Sequence, residues 1–136
     1  MSRAFRLVGA AIMLGSSVLA VTAARAIELT GAWATQTDLC SQVFTKKDNR
    51  VVYAEFSELF GSGFIIDGDR IRGKTGTCTI KSRKEEGNSL ELSAACASSV
   101  MTQDLRFSLK IIDDNNISRS FPEISGMSLN YTRCKL

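Results

Sequence analysis

The stretches TCTIKS (77–82) and SLELSAAC (89–96) decide the fold, because apolar and polar side chains alternate in both of them. Placing Cys78 opposite Cys96 centres the connecting turn on Gly87 and puts the apolar side chains of both stretches on one face. Opposed positions that are not hydrogen-bonded lie about 4.5 Å apart at Cα, a separation that a disulfide spans. The pattern therefore predicts an antiparallel hairpin closed by a Cys78–Cys96 disulfide.

The segments around this hairpin alternate in the same way. FIIDGDRIR (64–72) predicts a second hairpin with Asp-Gly in its turn, and LRFSLKI (105–111) predicts a strand with one solvated face. Further strands are predicted at 29–34, 51–56, 117–121 and 128–134, polar loops at 46–50, 83–88 and 113–116, and one or two helical turns at 37–44, with 54–60 equally compatible with a helix. The predicted fold class is all-β: a small antiparallel barrel or sandwich of about seven or eight strands with one short helical turn and two disulfides.

The first 26 residues have the features of an export signal. Arg3 and Arg6 precede an apolar run at 7–21, and ARA (24–26) supplies the small residues that a signal peptidase requires. The run is shorter than a bilayer span of about 20 residues and contains Gly and Ser. We therefore predict a cleaved signal peptide at 1–26, a single β-rich domain at 27–136, a periplasmic or secreted bacterial protein, and no transmembrane span after cleavage.

Removal of this segment changes the charge. The chain has 17 Lys and Arg against 14 Asp and Glu, and three of the basic residues (Arg3, Arg6 and Arg25) but none of the acidic ones lie in the first 26 positions. The remainder therefore has a formal net charge of zero. Because a nucleic-acid-binding domain usually presents a net basic face, we expect no nucleic-acid partner.

The cysteines indicate how the domain is held together. All four (Cys40, Cys78, Cys96 and Cys134) follow residue 26, and an even number in a small exported chain favours two disulfides. Pairing Cys78 with Cys96 leaves Cys40–Cys134 by elimination. Loop entropy gives the shorter bridge roughly 3 kcal/mol and the longer one nearer to about 4.5 kcal/mol. Cys134 falls on the polar side of its predicted strand, so either a bulge intervenes or this bridge lies outside the core.

Gly31-Ala32-Trp33, on the first predicted strand, resembles the G-x-W opening of lipocalin-like (calycin) barrels. The resemblance implies that Trp33 closes one end of the barrel and that a late arginine, Arg133 or Arg119, lies over it, with a cation–π contact as the physical reason. Trp33 and Arg133 are thus the candidate barrel-closing pair. Small secreted bacterial metalloprotease inhibitors share a similar opening, but they typically carry one disulfide rather than two.

A broader similarity covers most of the domain. The runs GSGFII (61–66), RIRGK (70–74), CTIKSRKE (78–85) and AACA (94–97) resemble a group of small exported alphaproteobacterial proteins of uncharacterised function. This resemblance implies a source and a compartment, and it implies no activity.

Several chemistries are excluded by composition. The sequence contains no histidine, which removes Ser-His-Asp and Cys-His arrangements and histidine-based zinc sites. Four paired cysteines leave no thiolate for a metal or for nucleophilic attack. We expect no cofactor, no metal and no catalytic residue.

Two carboxylates are candidates for other chemistry. Asp67 and Asp69 can be read as a pair for glycoside hydrolysis or as calcium ligands. The alternative is that they serve the hairpin turn, where Asp and Gly are favoured for backbone reasons. We favour the turn, because the further oxygen ligands and closing glutamate of a calcium loop are absent.

A basic patch is a further candidate. Its six members are Arg70, Arg72, Lys74, Lys81, Arg83 and Lys84. The first three recur at every second position, so a straight strand presents them on one face, and the last three lie close in sequence. Such a patch suits an anionic lipid, a glycan or an acidic protein. The alternative is a solvated strand face whose charges discourage edge-to-edge pairing.

These observations favour a non-enzymatic binding protein of the cell envelope. Its ligand is either an envelope or extracellular protein or an amphiphile held in a barrel mouth. Two alternatives come from other classes: a glycan hydrolase that uses carboxylates alone, and a structural or assembly protein that docks through an exposed strand edge.

Overall fold

The computed structural model describes residues 27–136 together with Leu19, so the predicted signal peptide at 1–26 lies, apart from Leu19, outside the described residues. No helix within the described part combines the length and the apolarity that a membrane crossing requires. The strands are β1 (Gly31–Ala34), β2 (Phe44–Lys47), β3 (Arg50–Tyr53), β4 (Gly63–Asp67), β5 (Arg70–Arg72), β6 (Gly76–Glu86), β7 (Ser89–Ser98), β8 (Thr102–Asp113), β9 (Asn116–Ser120) and β10 (Ser128–Arg133). The helical segments are a 3₁₀ turn at Thr37–Leu39, the helix α1 at Cys40–Val43 and a 3₁₀ turn at Ser57–Phe60.

Eight of these strands close into an antiparallel barrel in the order β1-β10-β9-β8-β7-β6-β5-β4. Strands β4 to β10 follow one another as a meander, and β1 completes the ring by pairing with both β4 and β10. The predicted all-β barrel is confirmed, and so are the Cys40–Cys134 and Cys78–Cys96 disulfides. The sandwich alternative is not what forms, because alternating strands of this length close on themselves and leave no open edge in the ring.

The hairpin of β6 and β7 departs from its predicted register. The predicted pairing holds from Cys78 to Ile80, and a bulge between Ile80 and Ser82 then shifts it by one residue. Residues 83–88, predicted as a loop, are strand up to the residue before Gly87. A bulge bends a long strand, which barrel closure requires, and Gly87 takes the positive φ of +61° that starts the tight turn.

A further hairpin lies where the alternation of apolar and polar residues did not predict one. Strands β2 and β3 pair around Asp48 and Asn49, so the predicted polar loop at 46–50 is mostly strand. Both turn residues have positive φ (52° and 61°), as a two-residue type I′ turn requires. This hairpin is separate from the barrel sheet.

The inside of the barrel forms one apolar core. Trp33 and Ile117 are fully buried, and Leu90 and Leu92 are nearly so. Trp33 comes from β1, the two leucines from β7 and Ile117 from β9, and alternation directs their side chains inward. The core therefore fills one end of the barrel around the indole of Trp33.

Residues 35–62 form an outer layer against the outside of β1 and β4. Val43 and Phe44 pack there on the outward-facing side chains of Ala32, Ala34 and Ile65. Cys134 belongs to this outer cluster, and its disulfide to Cys40 fixes α1 to the end of the chain. The Cys40–Cys134 bridge therefore lies outside the barrel core, the second of the two arrangements left open by the sequence.

Tyr53 connects the outer layer to the barrel through hydrogen bonds. Its hydroxyl lies 2.9 Å from the carbonyl oxygen of Gly63 and 3.1 Å from that of Arg72. Burial of the phenol raises its pKa to about 12, because the charged phenolate loses solvation. The neutral, donating form of Tyr53 is therefore the form that the folded state stabilises.

Removing either disulfide lowers stability, and the longer loop costs more. Replacing both Cys40 and Cys134 by Ala should reduce the free energy of unfolding by about 4.5 kcal/mol, and the same change at Cys78 and Cys96 by about 3 kcal/mol, because the unfolded chain regains loop entropy. Urea unfolding of the oxidised variants measures both losses. A larger loss for the shorter loop would contradict the entropic ranking.

The free energy of unfolding should fall above pH 10 because the Tyr53 phenol ionises. The pKa of Tyr53 is about 12 in the folded state, above its ordinary value of 10, so its contribution is complete below pH 10 and is lost as the pH rises toward 12. Urea unfolding of the Tyr53→Phe variant supplies the control, since every other titrating group remains. We expect the difference in free energy of unfolding between wild type and variant to shrink from pH 10 to pH 12. A constant difference would be inconsistent with the buried phenol.

Candidate ligand-binding cavity

One end of the barrel is closed by the segment 27–30. The indole Nε1 of Trp33 donates a hydrogen bond to the carbonyl oxygen of Leu29 over 2.9 Å. The Arg83 guanidinium, on β6, donates to the Ile27 carbonyl oxygen over 2.8 Å. The segment therefore crosses this end from β1 to the far wall of the barrel.

Arg133 completes this closed end. Its guanidinium carbon lies 4.4 Å from the centre of the Trp33 ring system, within cation–π range. Its N–H groups donate to the carbonyl oxygens of Glu28 (2.6 Å), Asp114 (3.0 Å) and Thr30. The two residues singled out as a barrel-closing pair are thus in contact, and the arginine side chain also joins the strand ends around them.

Gly31 makes room for this arginine. A Cβ at this position would lie 3.1 Å from Nη1 and 3.3 Å from Cγ of Arg133, and the backbone has a φ of +146° that side chains disfavour. The glycine of the Gly31-Ala32-Trp33 opening therefore has a physical reason, because it leaves the space in which Arg133 reaches Trp33.

The other end of the barrel holds a cavity of about 440 Å³. Ile66, Leu92 and Leu109 are among the apolar residues of its deeper wall, while Ser62 and Thr75 line it near the loops at the mouth. The volume falls within the range of about 300–1,000 Å³ that is usual for small-molecule pockets. The barrel is therefore filled at one end and hollow at the other.

Arg119 is the single charged residue in the described lining of this cavity. Its guanidinium carbon lies 4.6 Å from the ring centre of Phe107 and 4.5 Å from that of Phe121. Its Nε is buried, and no described residue accepts a hydrogen bond from it. The sequence analysis named Arg119 only as an alternative to Arg133 over Trp33; the alternation of Ile117, Arg119 and Phe121 is the signal that would have placed it on the apolar face of β9.

The Cys78–Cys96 disulfide forms part of the cavity wall, because both cysteines line it.

The loops at the mouth also carry exposed apolar side chains. Val100 and Met101 lie between β7 and β8, and Ile124 and Met127 lie between β9 and β10. The way into the cavity is therefore bordered by apolar side chains as well as by small polar ones.

The two candidate carboxylates lie away from the cavity. Asp67 ends β4 and Asp69 follows in the turn, where both are exposed. The N–H of Gly68 between them donates to the Thr30 hydroxyl over 3.3 Å, which places this turn at the closed end. No described residue of the cavity lining is an aspartate or a glutamate. The described residues also contain no group of three or more histidine, cysteine, aspartate or glutamate side chains that could hold a metal ion.

Two members of the candidate basic patch contact the outer layer. Arg72 Nη2 donates to the Val51 carbonyl oxygen over 2.9 Å. Lys74 Nζ donates to the Ser57 hydroxyl over 2.8 Å and lies 3.3 Å from the Glu58 carboxylate. Both cations therefore hold the outer layer against β5 and the loop that follows it.

The other members lie elsewhere. Arg83 pairs with Glu85 and contacts the segment 27–30 at the closed end. Arg70, Lys81 and Lys84 are exposed. The structure thus divides the six residues between the outer layer, the closed end and solvent, and only Arg70, Lys81 and Lys84 are left with mainly solvated side chains.

Comparison with known proteins finds no matching family model, no matching curated protein and no matching solved structure. The lipocalin-like resemblance and the alphaproteobacterial resemblance therefore stay predictions that rest on the residues quoted for them.

The Gly31→Ala variant should displace Arg133 over Trp33. The added methyl group lies too close to the Arg133 side chain, which must shift, and it strains the backbone, at a cost of about 1–3 kcal/mol. Trp33 is the single tryptophan of the chain, so its fluorescence reports this end directly. The Gly87→Ala variant is the control, because Gly87 also has positive φ but nothing within 4 Å of its Cβ position. Equal emission spectra for both variants would argue against the steric explanation.

Proposed function

We propose that the protein is an exported, non-enzymatic binding protein of the cell envelope that holds an amphiphilic ligand in its barrel. The observation that carries this proposal is the cavity of about 440 Å³, with apolar walls and a mouth of small polar side chains. Burial of apolar ligand surface in such a space contributes about 25 cal/mol per Å². An amphiphile matches this distribution, because its chain faces the wall and its polar end remains near the mouth.

The compartment belongs to the same proposal. Two disulfides suit an oxidising environment such as a periplasm or the outside of a cell. An amphiphile in such a compartment requires a carrier or a sink, because its chain is poorly soluble in water. A closed barrel that is stabilised by two disulfides meets that requirement.

The alternatives from the sequence fit these observations less well. A carboxylate-based glycan hydrolase requires two carboxyl groups that converge in a cleft, and Asp67 and Asp69 are exposed at the end away from the cavity. An assembly protein that docks through a strand edge requires a free edge. The eight barrel strands are each paired on both sides, which leaves, among the described strands, the outer edges of the two-stranded β2–β3 sheet.

Binding of an uncharged fluorescent amphiphile tests the proposal. N-phenylnaphthylamine should bind the purified mature protein with a stoichiometry of about one and increase in fluorescence, since it leaves water for an apolar space. The Leu105→Trp variant should weaken binding about tenfold or more, because Leu105 lines the cavity and the larger ring occupies it.

The Arg106→Trp variant is the matched control. Arg106 is the next residue of β8, is exposed, and points to the opposite face. The Arg106→Trp variant should bind the dye with the same affinity as the wild type. Unchanged binding in Leu105→Trp, or no binding by the wild type, would refute a ligand in the barrel.

A further inference from the structure

Two arginines of this barrel lie against aromatic rings, and they differ in what surrounds their N–H groups. Arg133 at the closed end donates to three main-chain carbonyl oxygens. Arg119 in the cavity has two phenyl rings beside its guanidinium, and its buried Nε–H has no acceptor among the described residues. The N–H groups of Arg133 therefore find acceptors within the fold, whereas the Nε–H of Arg119 does not.

An arginine in this situation is costly to keep. A guanidinium is always charged at physiological pH, and a buried polar N–H without an acceptor loses the hydrogen bond that water would supply. Contacts with aromatic faces compensate for part of this cost, but they leave the buried Nε–H without an acceptor among the described residues. Arg119 is also the single charged residue in the described lining of an otherwise uncharged cavity.

The position of Arg119 indicates how a ligand would lie. Strand β9 begins at Asn116, whose side chain contacts the turn at the closed end, and runs toward the mouth. Ile117 faces the filled core, Arg119 lines the cavity, and Phe121, directly after the end of β9, lies against Arg119. The cation thus lies above an apolar wall and near the exit, where the head of an amphiphile rests when its chain enters first.

We propose that Arg119 binds the anionic head group of a single-chain amphiphile whose chain points into the barrel toward Trp33. A carboxylate or a phosphate offers the two acceptor oxygens that match the edge of a guanidinium. This inference rests on the proposed function and adds to it the charge of the ligand and its direction of insertion.

Displacement of bound N-phenylnaphthylamine by dodecanoate, dodecyl phosphate and dodecanol tests this inference on the wild-type protein. The three share one chain and differ in the head group, and all are used below the concentration at which they form micelles. We expect the two anions to bind about tenfold more tightly than the alcohol, which corresponds to about 1.4 kcal/mol. Preference for one anion over the other then identifies the head group, and either preference supports the inference.

Variants separate charge from packing. Arg119→Met keeps an unbranched apolar side chain between the phenyl rings and should weaken binding of the two anions more than binding of dodecanol, which removes the preference. Arg119→Lys keeps the charge and should retain part of the preference. Arg106→Met removes an exposed arginine from the neighbouring strand and should have no effect.

The outcomes also separate this inference from the proposed function. Equal affinity for anions and alcohol, or an equal loss for all three in Arg119→Met, would overturn the role of Arg119 although the cavity still binds the dye. Failure of the wild type to bind the dye at all would overturn the cavity as a ligand site.

Discussion

Closure of the barrel depends on β1, a strand of four residues that pairs with β4 on one side and with β10 on the other. Gly31 leaves the space that Arg133 needs, and Arg133 in turn joins the segment before β1 to the last strand. These contacts join positions about a hundred residues apart. The closed end therefore forms only when the two ends of the domain meet, which makes the fold one cooperative unit.

The two ends of the barrel differ because the chain places different groups at each of them. At one end, tight turns and the segment 27–30 bring main-chain carbonyl groups over Trp33, and an arginine satisfies them. At the other end, the connecting loops leave the interior uncovered, and small residues line the mouth. An arginine against aromatic rings therefore closes one end of the barrel, and a second arginine against aromatic rings lines the cavity at the other.

Local alternation was enough to predict most strands, because side-chain direction in a strand depends only on the parity of position. It also predicted the pairing of Cys78 with Cys96. It did not predict the bulge after Ile80, since bending is imposed by ring closure rather than by neighbours in sequence. An amphiphile in a barrel mouth was one of the expectations, but alternation does not show where the barrel is hollow, because Phe107 and Arg119 belong to different strands and the space beside them depends on the whole ring.

The two disulfides are nested along the chain, with the whole Cys78–Cys96 loop inside the Cys40–Cys134 loop. A chain that meets an oxidant from its N-terminus presents Cys40 and Cys78 first, and joining these two traps a non-native bridge. The native pairs then require thiol–disulfide exchange, or oxidation delayed until Cys134 has arrived. The nesting therefore makes the order of oxidation matter, because both native pairs form directly only when all four cysteines are available.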